Sequence, residues 1–257
     1  MHLHIVKMGG KVLDNPDLLE PMLLAFSELE GNKILVHGGG KKASELLPKL
    51  GISPIMVEGR RVTDSATLEV VTMVYAGLLN KQLVASLQAL NCNAIGLSGA
   101  DGNLIEAKKR PVKDIDYGFA GDLVTNSINI TFLDLLLLKG YCPVICPITH
   151  DKKSQLLNTN ADTIASVTAT AMSVNYEVTL TYCFEFAGVM EDPEKPESVI
   201  PFIDQNKYQF LKNRGIIKDG MIPKMDNAFS ALQDGVSEVR ITKADSLGTG
   251  KGTLIKL

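Results

Sequence analysis

The sequence predicts an α/β chain built on an open, mostly parallel central sheet with helices on both faces. Two observations carry that prediction. Short apolar runs alternate with stretches of helical periodicity, the pattern of repeated strand–helix units. Several of these runs end in glycines, at Gly9-Gly10, at Gly38-Gly39-Gly40 and between Gly99 and Gly102. A parallel sheet gathers such strand ends along one edge, where open α/β folds bind their ligands.

Composition agrees with one large unit or two lobes. A chain of 257 residues, 45% of them hydrophobic, can bury an extensive core. The net charge of −3 leaves no basic excess, and no lysine or arginine run interleaved with aromatics points to nucleic acid. His2, His4 and Lys7 interrupt the first apolar run, which argues against a secretory leader. The longest apolar stretch, around Phe132 to Leu138, falls short of the ~20 residues of a membrane span, so a cytoplasmic protein is expected. Cys92, Cys142, Cys146 and Cys183 lie in apolar runs with no C-x-x-C pair, as buried free thiols do, and no metal site is expected of them.

Each element has its own signal. Residues 3–8 alternate as a strand, with Lys7 inside it. Asn15-Pro16 is a helix start, and Leu18, Leu19, Met22, Leu23 and Phe26 recur at helical spacing until Gly31. Ile34 to Val36 is the central strand; three glycines then turn the chain into a helix-compatible segment, Lys41 to Leu50. Residues 52–57 are extended and lead through Glu58 and Gly59 to Asp64, which can cap a long helix from Ser65 to about Leu90. Its apolar stripe, with Val71, Val74, Tyr75 and Leu78, is wider than one core requires and suits a subunit contact.

Cys92 to Leu97 reads as the next strand, and charges with glycines between Lys108 and Asn126 suggest a hairpin excursion. Ile130 to Leu138 is helical, Gly140 stops it, and Tyr141 to Ile148 is a strand despite Pro143 and Pro147. Leu157 to Asp162 opens a helix to about Val174. Glu177 to Cys183 is a strand, followed by a loop with Pro193 and Pro196. Asp204 caps a helix to Arg214; Gly215 to Lys224 turns into a helix ended by Gly235, and Val239–Ile241 and Thr253–Ile255 close the chain as strands. The compositional seam at Val174-Asn175 divides residues 1–174 from 175–257.

Consecutive glycines before a helix let backbone approach a ligand and offer free N–H groups to an anion; a tight turn that binds nothing would read the same way. Recurrence at a second strand end, with Lys7 inside an apolar strand, favours the ligand. The Asn158–Asp162 cluster is either a capping device or part of a site. His37, at a buried strand end, is expected to make a structural hydrogen bond. No nucleotide fingerprint occurs: G-x-x-x-x-G-K-[ST] fails at Gly250-Lys251, which Gly252 follows, and G-x-G-x-x-G fails in the same tail.

In order along the chain stand Lys7-Met8-Gly9-Gly10, His37-Gly38-Gly39-Gly40, Gly59-Arg60-Arg61-Val62-Thr63, Gly96-Leu97-Ser98-Gly99 with Asp101-Gly102, Asn158-Thr159-Asn160-Ala161-Asp162, and Asp219-Gly220-Met221 with Lys224. This ordered set resembles the amino acid kinase family, in particular its branch in arginine biosynthesis. The resemblance implies that fold, with an acylglutamate-binding and dimerising lobe at 1–174 and an ATP-binding lobe at 175–257. It implies a reaction in which ATP phosphorylates the γ-carboxylate of an N-acylated glutamate, acetyl favoured.

Carried over, Gly39 and Gly40 hold the substrate through backbone amides, Arg61 pairs with its α-carboxylate, and Asn158 binds it. Lys7 and Lys224 flank the transferring phosphoryl, and Asp162 holds the two lysines. Gly9, Gly10, Glu185, Phe186, Ala187, Gly188, Val189, Met190, Ile216, Ile217 and Lys218 line the nucleotide, with Mg²⁺ bridging its phosphates. Two positions depart from the pattern: Glu185 where an aspartate is usual, and Ala100 where many relatives carry lysine. Glu185 leaves open a non-catalytic, acylglutamate-binding regulatory homologue with an altered nucleotide lobe, against which the retention of Lys7, Asp162 and Lys224 speaks, and within kinases the alternative is another carboxylate kinase of the same family. Relatives inhibited by arginine carry an extra N-terminal helix, and here the Lys7 strand begins within three residues of Met1. A homodimer insensitive to arginine is therefore expected.

Overall fold

The structure, a computed structural model, describes residues 1–257 apart from Glu58, Thr125, Pro193 and Asp219. The parts of the motifs that fall on Glu58 and Asp219, and Pro193 of the proline-bearing loop, lie outside the described residues. The chain runs β1 (His2–Met8), α1 (Gly10–Leu13), α2 (Pro16–Glu28), β2 (Asn32–His37), α3 (Gly40–Lys49), β3 (Met56–Val57), β4 (Arg60–Arg61) and α4 (Ser65–Thr72). A π-helical segment (Met73–Leu79) joins α4 to α5 (Asn80–Ala89). Then come β5 (Ala94–Leu97), β6 (Lys108–Lys109), β7 (Ala120–Asp122), α6 (Ile130–Leu138), β8 (Cys142–Ile145), β9 (Ile148–His150) and β10 (Leu156–Thr159). The last part holds α7 (Ala161–Met172), β11 (Glu177–Phe184), β12 (Phe202–Ile203), α8 (Gln205–Asn213), α9 (Met221–Gln233), β13 (Glu238–Lys243) and β14 (Thr253–Ile255).

Eight strands form the central sheet in the order β12-β14-β13-β11-β1-β2-β8-β5. Every neighbouring pair is parallel except β13 with β14. Two apolar cores lie on its two faces, and β1 serves both because strand side chains alternate. Leu3 and Ile5 enter the core under α7 and α9, whereas Val6 and Met8 enter the one under α2 and the Ser65–Ala89 helix. Lys7 shares the side of Leu3 and Ile5, which aims a charged group at α7.

The expected helix caps are present. Asn15, Asp64 and Asp204 accept from the N–H groups of Asp17, Thr67 and Lys207, at 3.1, 2.8 and 2.7 Å. The hairpin excursion is β6–β7, which with β10 and β9 makes a separate four-stranded sheet. The single strand expected over Tyr141 to Ile148 is divided: β8 ends at Ile145 and β9 begins at Ile148 in the second sheet. Pro147 has no N–H for a ladder, and its carbonyl accepts from Thr159 N at 3.0 Å, so the chain changes sheets there.

Helix α2 stops at Glu28, before Gly31. The Ser65–Ala89 helix, 25 residues, is also long and apolar enough to cross a membrane, a candidate that the emphasis on Phe132 to Leu138 overlooked. Its inner residues Val71, Val74 and Leu83 belong to the core, while Met73 and Leu78 are exposed. All four cysteines are buried free thiols.

Candidate active site

The carboxyl ends of β1, β2 and β11 and the first turn of α7 meet at one edge of the sheet. Asn160 caps α7, its Oδ1 accepting from Asp162 N at 2.8 Å and Thr163 N at 3.1 Å. That cap places the Asp162 carboxylate at the positive end of the helix, which favours its charge. The same cluster is thus both cap and site. Lys7 Nζ stands 2.7 Å from Asp162 Oδ1, and Lys224, from α9, donates to Oδ2. Burial pushes the Asp162 carboxyl up, but the two ammonium groups outweigh it and hold the pKa at about 2. The three groups together carry a net positive charge.

Lys7, Asp162 and Lys224 line a cleft of about 570 Å³ together with Gly9, Gly10, Glu185 and Phe186. Gly9 sits tight against β11, its N–H donating to Cys183 O at 2.8 Å. Glu185 pairs with Lys11 at 2.8 Å across the cleft. The other residues expected around a nucleotide, Ala187 to Met190 and Ile216 to Lys218, are not among those that line this cleft. Gly188 and Val189 are buried against β14, with Val189 N donating to Thr253 Oγ1 at 2.8 Å, and Ile217 is packed into the core. Ala187, Met190 and Ile216 are partly buried, and Lys218 is exposed.

A second pocket, about 190 Å³, is bounded by Gly39, Gly40, Arg61 and Asn158. The β3–β4 hairpin carries Arg61, whose Nη2 donates to Gly40 O at 2.9 Å and Ser44 Oγ at 2.6 Å. Its Nη1 is buried and makes no hydrogen bond among the described residues. A desolvated guanidinium nitrogen left unpaired is costly and calls for an anion. Asn158 Nδ2 donates to Thr63 Oγ1 at 3.0 Å, which turns its amide toward the pocket rim.

Arg60, Tyr75 and Arg110 also line this pocket, and none was singled out from the sequence for the site. Arg60 had a signal, being next to Arg61. Tyr75 was hidden in an apolar helical stripe, and Arg110 in a segment whose sheet was not foreseen. A third cavity of about 210 Å³, walled by Arg60, Asn160, Asp162 and Lys224, lies between the two sites. Asp162 and Lys224 thus border both this cavity and the first cleft.

Comparisons with known proteins bear on the family and the fold. The model of the amino acid kinase family matches residues 3–243. An acetylglutamate kinase of Phocaeicola vulgatus is 52% identical over 254 residues, 99% of this chain and 98% of its own. An acetylglutamate kinase of Methanopyrus kandleri is 38% identical over 258 residues, 99% of this chain and 100% of its own. Among solved structures, smu.665 from Streptococcus mutans UA159 has a similar fold, with a TM-score of 0.80 at 24% identity over 99% of this chain and 98% of that one.

Proposed function

The chain belongs to the amino acid kinase family, and from that premise we propose that it transfers the γ-phosphoryl group of ATP to the γ-carboxylate of N-acetyl-L-glutamate, as an early step of arginine biosynthesis. The products are an acyl phosphate and ADP. One observation carries the reading: a carboxylate gripping two lysines between two anion-seeking pockets.

The nucleophile is an ionised carboxylate, so no side chain has to take a proton from it. The difficulty is bringing two anions together. Lys7 and Lys224 offset the charge that spreads over the transferring phosphoryl, and a well-placed donor of this kind contributes about 3 kcal/mol. Asp162 keeps both ammonium groups apart and aimed. Arg61, through its free Nη1, receives the α-carboxylate; Asn158 reaches the same end of the substrate, and the Gly39 and Gly40 amides face its reacting end. Gly9, Gly10, Glu185 and Phe186 hold the nucleotide, and Ala187–Met190 and Ile216–Lys218 line it further along.

Mg²⁺ would be held by the nucleotide phosphates rather than by Asp162, because both oxygens of that carboxylate are engaged by lysines. It would neutralise phosphate charge during transfer. Residues 1–174 supply the acylglutamate pocket and 175–257 most of the nucleotide side. The exposed Met73 and Leu78 on the long helix support a homodimer formed through that face; light scattering showing a monomer would remove that part of the reading.

The decisive experiment measures ATP consumption with acetylglutamate, succinylglutamate, glutamate and aspartate in parallel. Turnover is expected with the acetylated substrate and not with the free amino acids. Equal use of unacylated glutamate would overturn the assignment.

A further inference from the structure

His37 and Asn80 are both buried, and neither has a part in the reaction just described, yet their hydrogen bonds lead to the glycine loop. The carboxamide of Asn80 has a partner at each polar position. Nδ2 donates to Val144 O at 2.9 Å and lies 3.1 Å from His37 Nε2, while Oδ1 accepts from Lys81 Nζ at 3.2 Å. Turning the amide over would set an oxygen against the Val144 carbonyl and an NH₂ against an ammonium group. Only one orientation is compatible with these neighbours.

In that orientation His37 Nε2 accepts a hydrogen bond, so the proton of the neutral ring sits on Nδ1. That proton is donated to Gly38 O at 2.7 Å. The Gly38 carbonyl and the Gly39 N–H belong to one planar trans peptide and point in opposite directions. Holding the carbonyl against the imidazole therefore aims the N–H away from it. Among the described residues, the Gly39 N–H meets no acceptor in the protein, and Gly39 borders the Arg61 pocket.

The loop is also pressed from behind. A Cβ on Gly39 would stand 2.6 Å from Leu79 Cδ1 and 2.8 Å from Tyr75 Cδ1, so no room exists for the peptide to withdraw. Both residues belong to the π-helical segment that ends immediately before Asn80. Such segments recur at functional sites, where an inserted residue re-aims a side chain.

We propose that Asn80 is a positioning residue for phosphoryl transfer: by selecting the Nδ1–H tautomer of His37 it fixes the Gly38–Gly39 peptide and presents the Gly39 N–H to the reacting end of the substrate. The inference rests on the kinase reading for the identity of that group, but the hydrogen-bond chain exists without substrate and can be read without it. Asn80 touches neither reactant; it acts through His37 and the peptide.

The test has a spectroscopic and a kinetic part. With ring-¹⁵N histidine in the whole protein at neutral pH, and His37→Phe to assign the signal, the His37 ring is expected to show a protonated Nδ1 and an unprotonated Nε2. A protonated Nε2 overturns the proposal, and this measurement on the unsubstituted protein stands whether or not any variant folds. In Asn80→Ala that signature is expected to be lost and kcat to fall about 10- to 100-fold with KM for ATP within about twofold, since misplacing one donor costs up to what deleting it does. An unchanged kcat in folded Asn80→Ala overturns it equally. If the unsubstituted protein turns over no acylglutamate while the ring shows the expected tautomer, the kinase reading fails and the hydrogen-bond chain stands.

Discussion

Replacing Asp162 by asparagine removes a charge while keeping the shape of the side chain and the backbone N–H that Asn160 caps. The carboxylate holds Lys7 at 2.7 Å on one oxygen and Lys224 on the other. Two ammonium groups so placed are roughly 5 Å apart, and at an effective dielectric of about 20 they repel by about 3 kcal/mol once nothing negative lies between them. That figure agrees with the ~3–5 kcal/mol lost when one partner of a buried ion pair is deleted. For a domain of this size it corresponds to a fall in Tm of roughly 6–12 °C.

The lysines would separate, and the donor geometry with them, so kcat should fall at least ~100-fold, the usual loss for a charge-stabilising donor. Urea denaturation and a coupled ADP assay measure the two effects. Saturating ATP should also raise the Tm of Asp162→Asn more than that of the parent, because the incoming phosphates replace the missing anion. An Asp162→Asn protein within about 1 kcal/mol of the parent in stability and within about tenfold in kcat would refute the claim that this carboxylate organises the lysine pair.

Lys7→Ala and Lys224→Ala should each lower kcat at least ~100-fold with smaller effects on KM, and steady-state kinetics with losses in KM alone would show that they bind only the ground state. Gly39→Ala should cost about 1–3 kcal/mol by overpacking against Leu79 and Tyr75, whereas Gly40→Ala, with nothing within 4 Å of its Cβ position, should leave thermal stability unchanged; comparable melting curves for the two would contradict the crowding.

Burial lowers the pKa of His37 to about 4. The unfolded chain therefore takes up that proton first, and stability present above about pH 6.5 is lost as pH falls towards about 4, by up to ~3 kcal/mol for this ring. Asp162 is also depressed, so its contribution is held to lower pH and lost only between about 4 and 2. Urea titrations across this range should show a slope that shrinks in His37→Phe; an equal slope in that variant would count against a buried neutral ring.

What the sequence determined by itself is what acts over short stretches of chain. Helix caps at Asn15, Asp64 and Asp204 could be read because a side-chain oxygen and the N–H it accepts from are two or three residues apart. The alternation of apolar runs with helical periodicity gave the parallel sheet for the same reason, since period reports which face is buried. Lys7 inside an apolar strand and the glycines at two strand ends marked the site edge, and the order of the motifs marked the family.

Which distant groups meet was decided by the tertiary structure, and of the encounters below only that of Lys224 with Asp162 was implied beforehand, through the family resemblance. Strand β1 is central because β2 and β11 pair on its two sides, a choice that periodicity leaves open. The break at Pro147 and the second sheet depend on partners from β7 and β10. Lys224 reaches Asp162 across 62 residues, and Asn80 reaches His37 across 43. Neither encounter leaves a local trace, because a charge or a hydrogen-bonding group senses distance through space and not along the chain, and Tyr75 could be read from its spacing only as one more apolar position on a helix.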